Sequence, residues 1–140
     1  MQSKNFHSTS VVIEDSGLMI IGESGSGKSD LALRLIDSGA TLISDDISIC
    51  RKRLEGVFLY SPSKTKGLLE VREIGIITVP FIENVKLHLV VELIDKDGER
   101  MPQKYETTIL GHKIPKIKLF GKNSSSVAKI KVKLNEIREK

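Results

Sequence analysis

Residues Gly22-Glu23-Ser24-Gly25-Ser26-Gly27-Lys28-Ser29 satisfy the pattern G-x-x-x-x-G-K-[ST] in full. Glycines let a backbone curl until successive N–H groups point at phosphate oxygens. The N-terminus of a following helix adds its partial positive charge. The pattern therefore carries meaning only between a strand and a helix. Both flanks qualify. Residues 18–21 form a short apolar run, and Leu31, Ala32, Leu35 and Ile36 recur at helical spacing up to Ser38, with Gly39 as terminator. A glycine-rich turn with an incidental lysine would need neither flank. The pattern assigns Lys28 to the β and γ phosphates and the Ser29 hydroxyl to Mg²⁺. Residues 22–29 are thus a nucleotide site, and the economical reading is a kinase using ATP and Mg²⁺. No Asn-Lys-x-Asp stretch that would read guanine occurs.

The rest of the chain reads as alternating short strands. Residues 11–13 and 18–21 suggest a hairpin around Glu14-Asp15-Ser16-Gly17. Thr41–Ser44 reads as a short buried strand ending at Asp45 and Asp46. A right-handed crossover through the loop's helix would bring that strand back parallel to the first, with both aspartates at the phosphate edge. Carboxylates there hold Mg²⁺ or take a proton from an attacking hydroxyl; as a bare pair they are also compatible with an ordinary turn. Residues 47–50 and 57–60 flank a charged turn. Leu68–Val71, residues 74–79, 86–94 and 113–119 are further strands rich in β-formers. In the tail, residues 130–134 alternate like a strand, but Val127, Ile130, Leu134 and Ile137 at helical spacing favour a helix, with the serines at 124–126 as candidate caps.

A chain of 140 residues fits one domain, residues 1–140. With no Trp, two Tyr and four Phe, its core must be aliphatic. The net charge of +4 suits a phosphate-bearing partner. The lysines are dispersed with little aromatic interleaving, which argues against nucleic acid. No apolar run approaches the roughly 20 residues of a membrane span, and the polar first ten residues lack a signal peptide's apolar stretch. These point to a cytoplasmic protein. Cys50 is the only cysteine, so no intrachain disulfide forms.

Several stretches together resemble the catalytic domain of the bacterial HPr kinase/phosphorylase family. Phe6-His7 precedes the first strand; Asp30-Leu31-Ala32-Leu33 follows the loop; Leu42-Ile43-Ser44-Asp45-Asp46 comes next. Residues 68–77, Leu-Leu-Glu-Val-Arg-Glu-Ile-Gly-Ile-Ile, are similar to that family's signature. The resemblance is strong over residues 6–79 and weak beyond. It implies an α/β fold, a single P-loop kinase-like domain with a mixed sheet related to the phosphoenolpyruvate carboxykinase type, in the short catalytic-domain-only form. It implies an enzyme that phosphorylates a serine of HPr, the phosphocarrier of the sugar phosphotransferase system, reverses this by phosphorolysis, and assembles as a homo-oligomer, a hexamer. The roles implied are Asp46 as proton acceptor, Lys28 on the transferring phosphoryl group, Ser29 and Glu70 on Mg²⁺, His7 beside the acidic pair, and Arg72 in both directions of reaction. Without the resemblance, His7 would read as a surface histidine, and Glu70 and Arg72 as outward-facing strand residues. Lys64, Lys66, His88 and His112 read as solvated or ordinary positions.

The chain also departs from that family. Glu73 stands where a glycine is usual, and Pro80-Phe81-Ile82-Glu83-Asn84 replaces a stretch rich in glycine and alanine. The arginine expected after Tyr105-Glu106 is absent, and Gly121-Lys122-Asn123 replaces Gly-Arg-Asn. These changes bear on phosphorolysis and hexamer formation more than on nucleotide binding. Two other functions compete: a kinase or NTPase acting on a small molecule, and a non-catalytic ATP sensor.

Overall fold

The computed structural model describes residues 2–139. Nine strands form one mixed, curled sheet: β1 (Ser3–His7), β2 (Thr9–Ile13), β3 (Ser16–Ile21), β4 (Thr41–Ser44), β5 (Ile47–Arg53), β6 (Gly56–Tyr60), β9 (Val85–Ile94), β10 (Tyr105–Ile109) and β11 (His112–Phe120). Strands β7 (Leu68–Val71) and β8 (Gly75–Thr78) make a separate hairpin. The two helices are α1 (Lys28–Asp37) and α2 (Ser126–Arg138).

Strand β9 is the branch point. Parallel β3 lies on one side; on the other, antiparallel β6 pairs with its start at Val85 and Lys86, and parallel β11 with its end from Val90 to Ile94. Its run Leu87-His88-Leu89-Val90-Val91 is apolar at four of five positions, as a strand enclosed on both faces must be. Close approach of β3 to β9 requires Gly17, where an added Cβ would lie 2.4 Å from the Lys86 carbonyl oxygen.

The expected crossover is refined by the pairing. Strand β4 does run in the direction of β3, but β2 lies between them, antiparallel to both. The turn between β2 and β3 is only Glu14-Asp15, both at positive φ as a two-residue hairpin demands. Strand β2 therefore begins at Thr9, two residues earlier than its apolar run.

Two cores result. One packs α1, α2 and β7 on the sheet through Leu31, Ala32, Leu35, Leu69, Ile130 and Leu134 against Val11, Leu18, Leu89 and Val91. In α1 it is Ala32, rather than the partly buried Ile36, that completes the buried face with Leu31 and Leu35. The second core lies inside the curl, joining Met19, Ile43, Cys50, Leu59 and Leu87 to Ile109 and Ile114. Both are aliphatic, as the scarcity of aromatics required. The tail is helical, but its serines do not cap it through side chains: the Ser126 hydroxyl donates back to the Phe120 carbonyl, 3.0 Å away. Arg138 closes the far end, donating to the Ile13 carbonyl at 2.7 Å and to the Ser16 hydroxyl at 3.0 Å.

Burial drives the Cys50 thiol up to about 12, so it stays neutral at ordinary pH. Labelling of Cys50 by a thiol reagent at pH 8 is expected to be slow and to accelerate only as urea unfolds the protein; prompt labelling of the native chain would contradict this packing. Leu31→Ala, at a fully buried position, is expected to lower unfolding free energy by about 2–5 kcal/mol, read from the urea midpoint.

Candidate active site

Strand β3 ends at Ile21 and α1 begins at Lys28, so residues 22–27 form a loop at the carboxyl end of a parallel strand. Gly25 and Gly27 adopt φ of 81° and 98°, conformations that favour glycine. A Cβ at either would meet nothing within 4 Å, so this side of the loop presents bare backbone to open space. Gly22 faces the opposite constraint, since an added Cβ would lie 2.6 Å from the Ser26 hydroxyl oxygen. Lys28 folds back over the loop, its ammonium donating to the carbonyls of Gly22 at 3.0 Å and Glu23 at 3.1 Å. The cation thus sits over the glycine-rich loop.

The acidic pair divides into two environments. The Asp45 carboxylate is buried and takes three donors. The Ser29 hydroxyl donates to its Oδ1 at 2.7 Å, the Thr9 hydroxyl to the same oxygen at 2.9 Å, and the Glu70 backbone N–H to Oδ2 at 3.0 Å. Asp46 is exposed and left-handed, with φ of 70°. That conformation makes the bend by which β4 passes into β5 while both stay antiparallel to the β1–β2 stretch, and Asp tolerates it better than most residues. The Ser8 N–H donates to the Asp46 carbonyl at 3.0 Å, holding the turn against the β1–β2 junction.

His7 ends β1 in register with Ile47, the residue after Asp46, and is exposed. Glu70 meets Asp45 through its backbone, with its side chain exposed; Arg72 follows at the exposed turn of the β7–β8 hairpin. Lys66 pairs with Glu83 at 2.8 Å. His112 meets the Arg53 carbonyl and His88 the Lys86 carbonyl, and burial lowers the His88 pKa.

Two residues that sequence reasoning missed shape the site. Thr9 had no motif to mark it. Arg34, read only as part of a helix, donates to the carbonyls of Gly121 and Asn123 and so fixes the turn containing Lys122 against α1.

Among the described residues no three His, Cys, Asp or Glu side chains converge as a closed metal site. The donors that do converge, the Ser29 hydroxyl and the Asp45 carboxylate, are hard oxygens. They suit Mg²⁺, which characteristically takes one or two carboxylates and completes its shell with water and phosphate.

Residues 1–139 match the sequence profile of the HPr Serine kinase C-terminal domain. The HPr kinase/phosphorylase of Mycoplasmopsis pulmonis is 34% identical over 137 residues, covering 89% of this chain and 44% of that protein. That of Prosthecochloris aestuarii is 33% identical over 145 residues, covering 92% and 43%. The chain spans less than half the length of these curated relatives. The solved Hpr(Ser) kinase/phosphatase of Coxiella burnetii superposes with a TM-score of 0.82 at 28% identity, over 96% of each chain. The chain belongs to the HPr serine kinase C-terminal domain family and has its mixed α/β fold.

Lys28→Ala is expected to weaken nucleotide binding by about 10–100-fold, the worth of one charge-assisted hydrogen bond. Titration calorimetry with ATP and Mg²⁺ measures it, and an unchanged dissociation constant would end the phosphate-loop assignment.

Proposed function

We propose that this member of the HPr serine kinase family is an ATP- and Mg²⁺-dependent kinase that phosphorylates a serine of the phosphocarrier HPr. The observation that carries the proposal is the 2.7 Å contact between Ser29 of the phosphate loop and the buried Asp45 carboxylate. It couples the metal-ligating hydroxyl of the P-loop pattern to a buried carboxylate able to help hold Mg²⁺. The relatives' names supply the acceptor.

In this reading residues 1–140 form the catalytic unit. The N–H groups of residues 22–27 cradle the phosphates, and Lys28 follows the transferring group. Mg²⁺, when bound, neutralises charge on the β and γ phosphates. Ser29 and Asp45 would hold it, with Glu70 beside them. We place proton acceptance at Asp46, because its carboxylate is exposed to an incoming hydroxyl whereas that of Asp45 is buried under three donors. Asp46 and His7, both exposed at the same turn, meet the incoming acceptor, and Arg72 guides its approach from the hairpin. A cytoplasmic location and assembly into a homo-oligomer, a hexamer, complete the proposal. No helix among the described residues is long and apolar enough to cross a membrane.

Incubation of the chain with labelled ATP, Mg²⁺ and HPr is expected to place phosphate on an HPr serine. Asp46→Asn should lower the rate by about 10²–10⁴-fold while nucleotide still binds. If Asp45→Asn suffers that loss and Asp46→Asn does not, the proton acceptor is Asp45. Phosphate accumulating on a small molecule, or ATP binding without turnover, would replace the HPr assignment by a metabolite kinase or a nucleotide sensor.

The direction of reaction is a second test. Lys122 stands where the family carries an arginine, and a lysine offers phosphate one point charge instead of a planar fork. Capture of free phosphate should suffer most. Forward transfer is expected to exceed phosphorolysis of phosphoserine-HPr, measured as pyrophosphate release; equal rates would show that another residue supplies the charge.

A further inference from the structure

Strands β1, β5 and β6 are neighbours at one end of the main sheet. Together they carry Lys4, Arg51, Lys52 and Arg53, and no Asp or Glu. In β5 the side chain of Cys50 enters the second core, so Ile47, Ile49, Arg51 and Arg53 face outward. Arg51 is in register with Phe58 of β6, and Phe58 with Lys86 of β9, so these residues share the outward face. The core beneath α1 and α2 draws on other strands and leaves this face uncovered.

The cations on it are held but not neutralised. The Arg51 guanidinium sits over the Tyr60 ring and that of Arg53 over the Phe58 ring, each 4.1 Å from the centroid. Arg53 also donates to the Tyr60 hydroxyl and the Asn84 side-chain carbonyl. Stacking fixes where a guanidinium lies without cancelling its charge. Among the described residues Arg51, Arg53 and Lys86 form no ion pair, and the carboxylate of Glu83 is taken by Lys66 at 2.8 Å.

The face runs into the candidate active site. Ile47 directly follows Asp46, and His7 stands in register with Ile47. From Asp46 the outward row leads along β5 to Arg51, about 16 Å away at roughly 3.3 Å per residue. A small metabolite at Asp46 does not span that distance, whereas a protein presenting a hydroxyl there does. Two copies meeting symmetrically through this face would set arginine against arginine. A nucleic-acid strand would stack its bases on open rings, and these rings already carry guanidiniums. An acidic protein surface meets the cations without either conflict.

We propose that the outward face of β1, β5 and β6 docks the protein acceptor, with Arg51, Arg53 and Lys86 meeting an acidic patch on it while its serine reaches Asp46. The proposal rests on the kinase reading and adds to it where the acceptor lies and what its contact surface must carry. None of the three cations touches the reacting groups.

Arg51→Glu reverses one charge and leaves the phosphate loop and the acidic pair intact. With the full chain, ATP, Mg²⁺ and HPr, the KM for HPr is expected to rise by about 10-fold, while kcat at saturating HPr and the KM for ATP stay within about twofold. Lys86→Glu should act in the same direction. Added salt should raise the wild-type KM for HPr more steeply than that of Arg51→Glu. Calorimetry of HPr binding without ATP should rank the three proteins in the same order, a readout that needs no turnover. A wild type that neither binds nor phosphorylates HPr ends the acceptor reading and the docking face with it. A wild type that does both, beside variants unchanged in KM and affinity, ends the docking face alone. So would a fall in kcat at unchanged KM, loss of a homo-oligomer in Arg51→Glu at unchanged KM, or tighter binding of single-stranded RNA than of HPr. If Arg51→Glu does not fold, Arg51→Gln and Lys86→Glu are judged by the same readouts.

Discussion

The buried carboxylate of Asp45 is the point on which the rest of the site depends. It joins three elements far apart in sequence: Thr9 of β2, Ser29 of α1 and the backbone of Glu70 in β7. Burying a carboxylate is unfavourable unless donors replace the lost water. Three donors do so here, and each hydrogen bond to a charged group is worth about 1.5–3 kcal/mol. The arrangement stabilises only as a set. Remove one donor and the charge remains in place with less compensation, which is why such networks define one geometry instead of several.

Topology explains how these three meet. With β2 lying between β3 and β4, both strands point the same way and end at one edge of the sheet. Ser29 follows the first and Asp45 the second. Helix α1 crosses over β2 to connect them, burying Leu31, Ala32 and Leu35 on the way. The β7–β8 hairpin has no place in the main sheet; it is fastened by Leu69 in the core under α1 and by the Glu70 N–H on Asp45. Its fold and the site's geometry therefore rest partly on the same contact. At the other end of α1, Arg34 grips the carbonyls that precede α2, so the phosphate helix is tied to the C-terminal half as well.

Local pattern made much of this legible. The eight-residue motif specified the loop and helix because glycine positions and a cation at fixed spacing have few structural explanations. Strands such as Leu68–Val71 and Thr41–Ser44 were visible with their ends, and the tail's four apolar positions correctly outweighed its strand-like alternation. What was not legible lacked hydrophobic contrast. Strand β1, Ser-Lys-Asn-Phe-His, is an exposed edge held by pairing with β5, and β10 is half polar; neither carries a period-two signal. Site candidates were named at the motifs, and Thr9 and Arg34 were passed over because geometry alone brings them there. Two adjacent aspartates look equivalent in a sequence. A left-handed residue at Asp46 gives them different surroundings, so that one carboxylate is buried against Ser29 and the other exposed. Thr9 could not be read at all, because a threonine in a strand has an ordinary propensity explanation.

The resting arrangement of Lys28 and Ser29 bears on how much the site must change when phosphate arrives. Lys28 already lies across the loop, its ammonium shared between two carbonyls of that loop. A cation held this close has little side-chain freedom left to lose when it takes another partner. Ser29 is poised in a complementary way. Its hydrogen is engaged by Asp45, which turns its oxygen lone pairs outward, toward whatever the loop binds. A hydroxyl with a free rotor would have to be oriented by the ligand itself. Here the protein has done that work beforehand with a charge held in its interior. Electrostatic stabilisation of a transferring phosphoryl group depends on dipoles that need not reorganise during reaction. The contact that orients Ser29 is also one of those that anchor Asp45, so the glycine-rich loop and the buried carboxylate are tied to each other by one hydrogen bond.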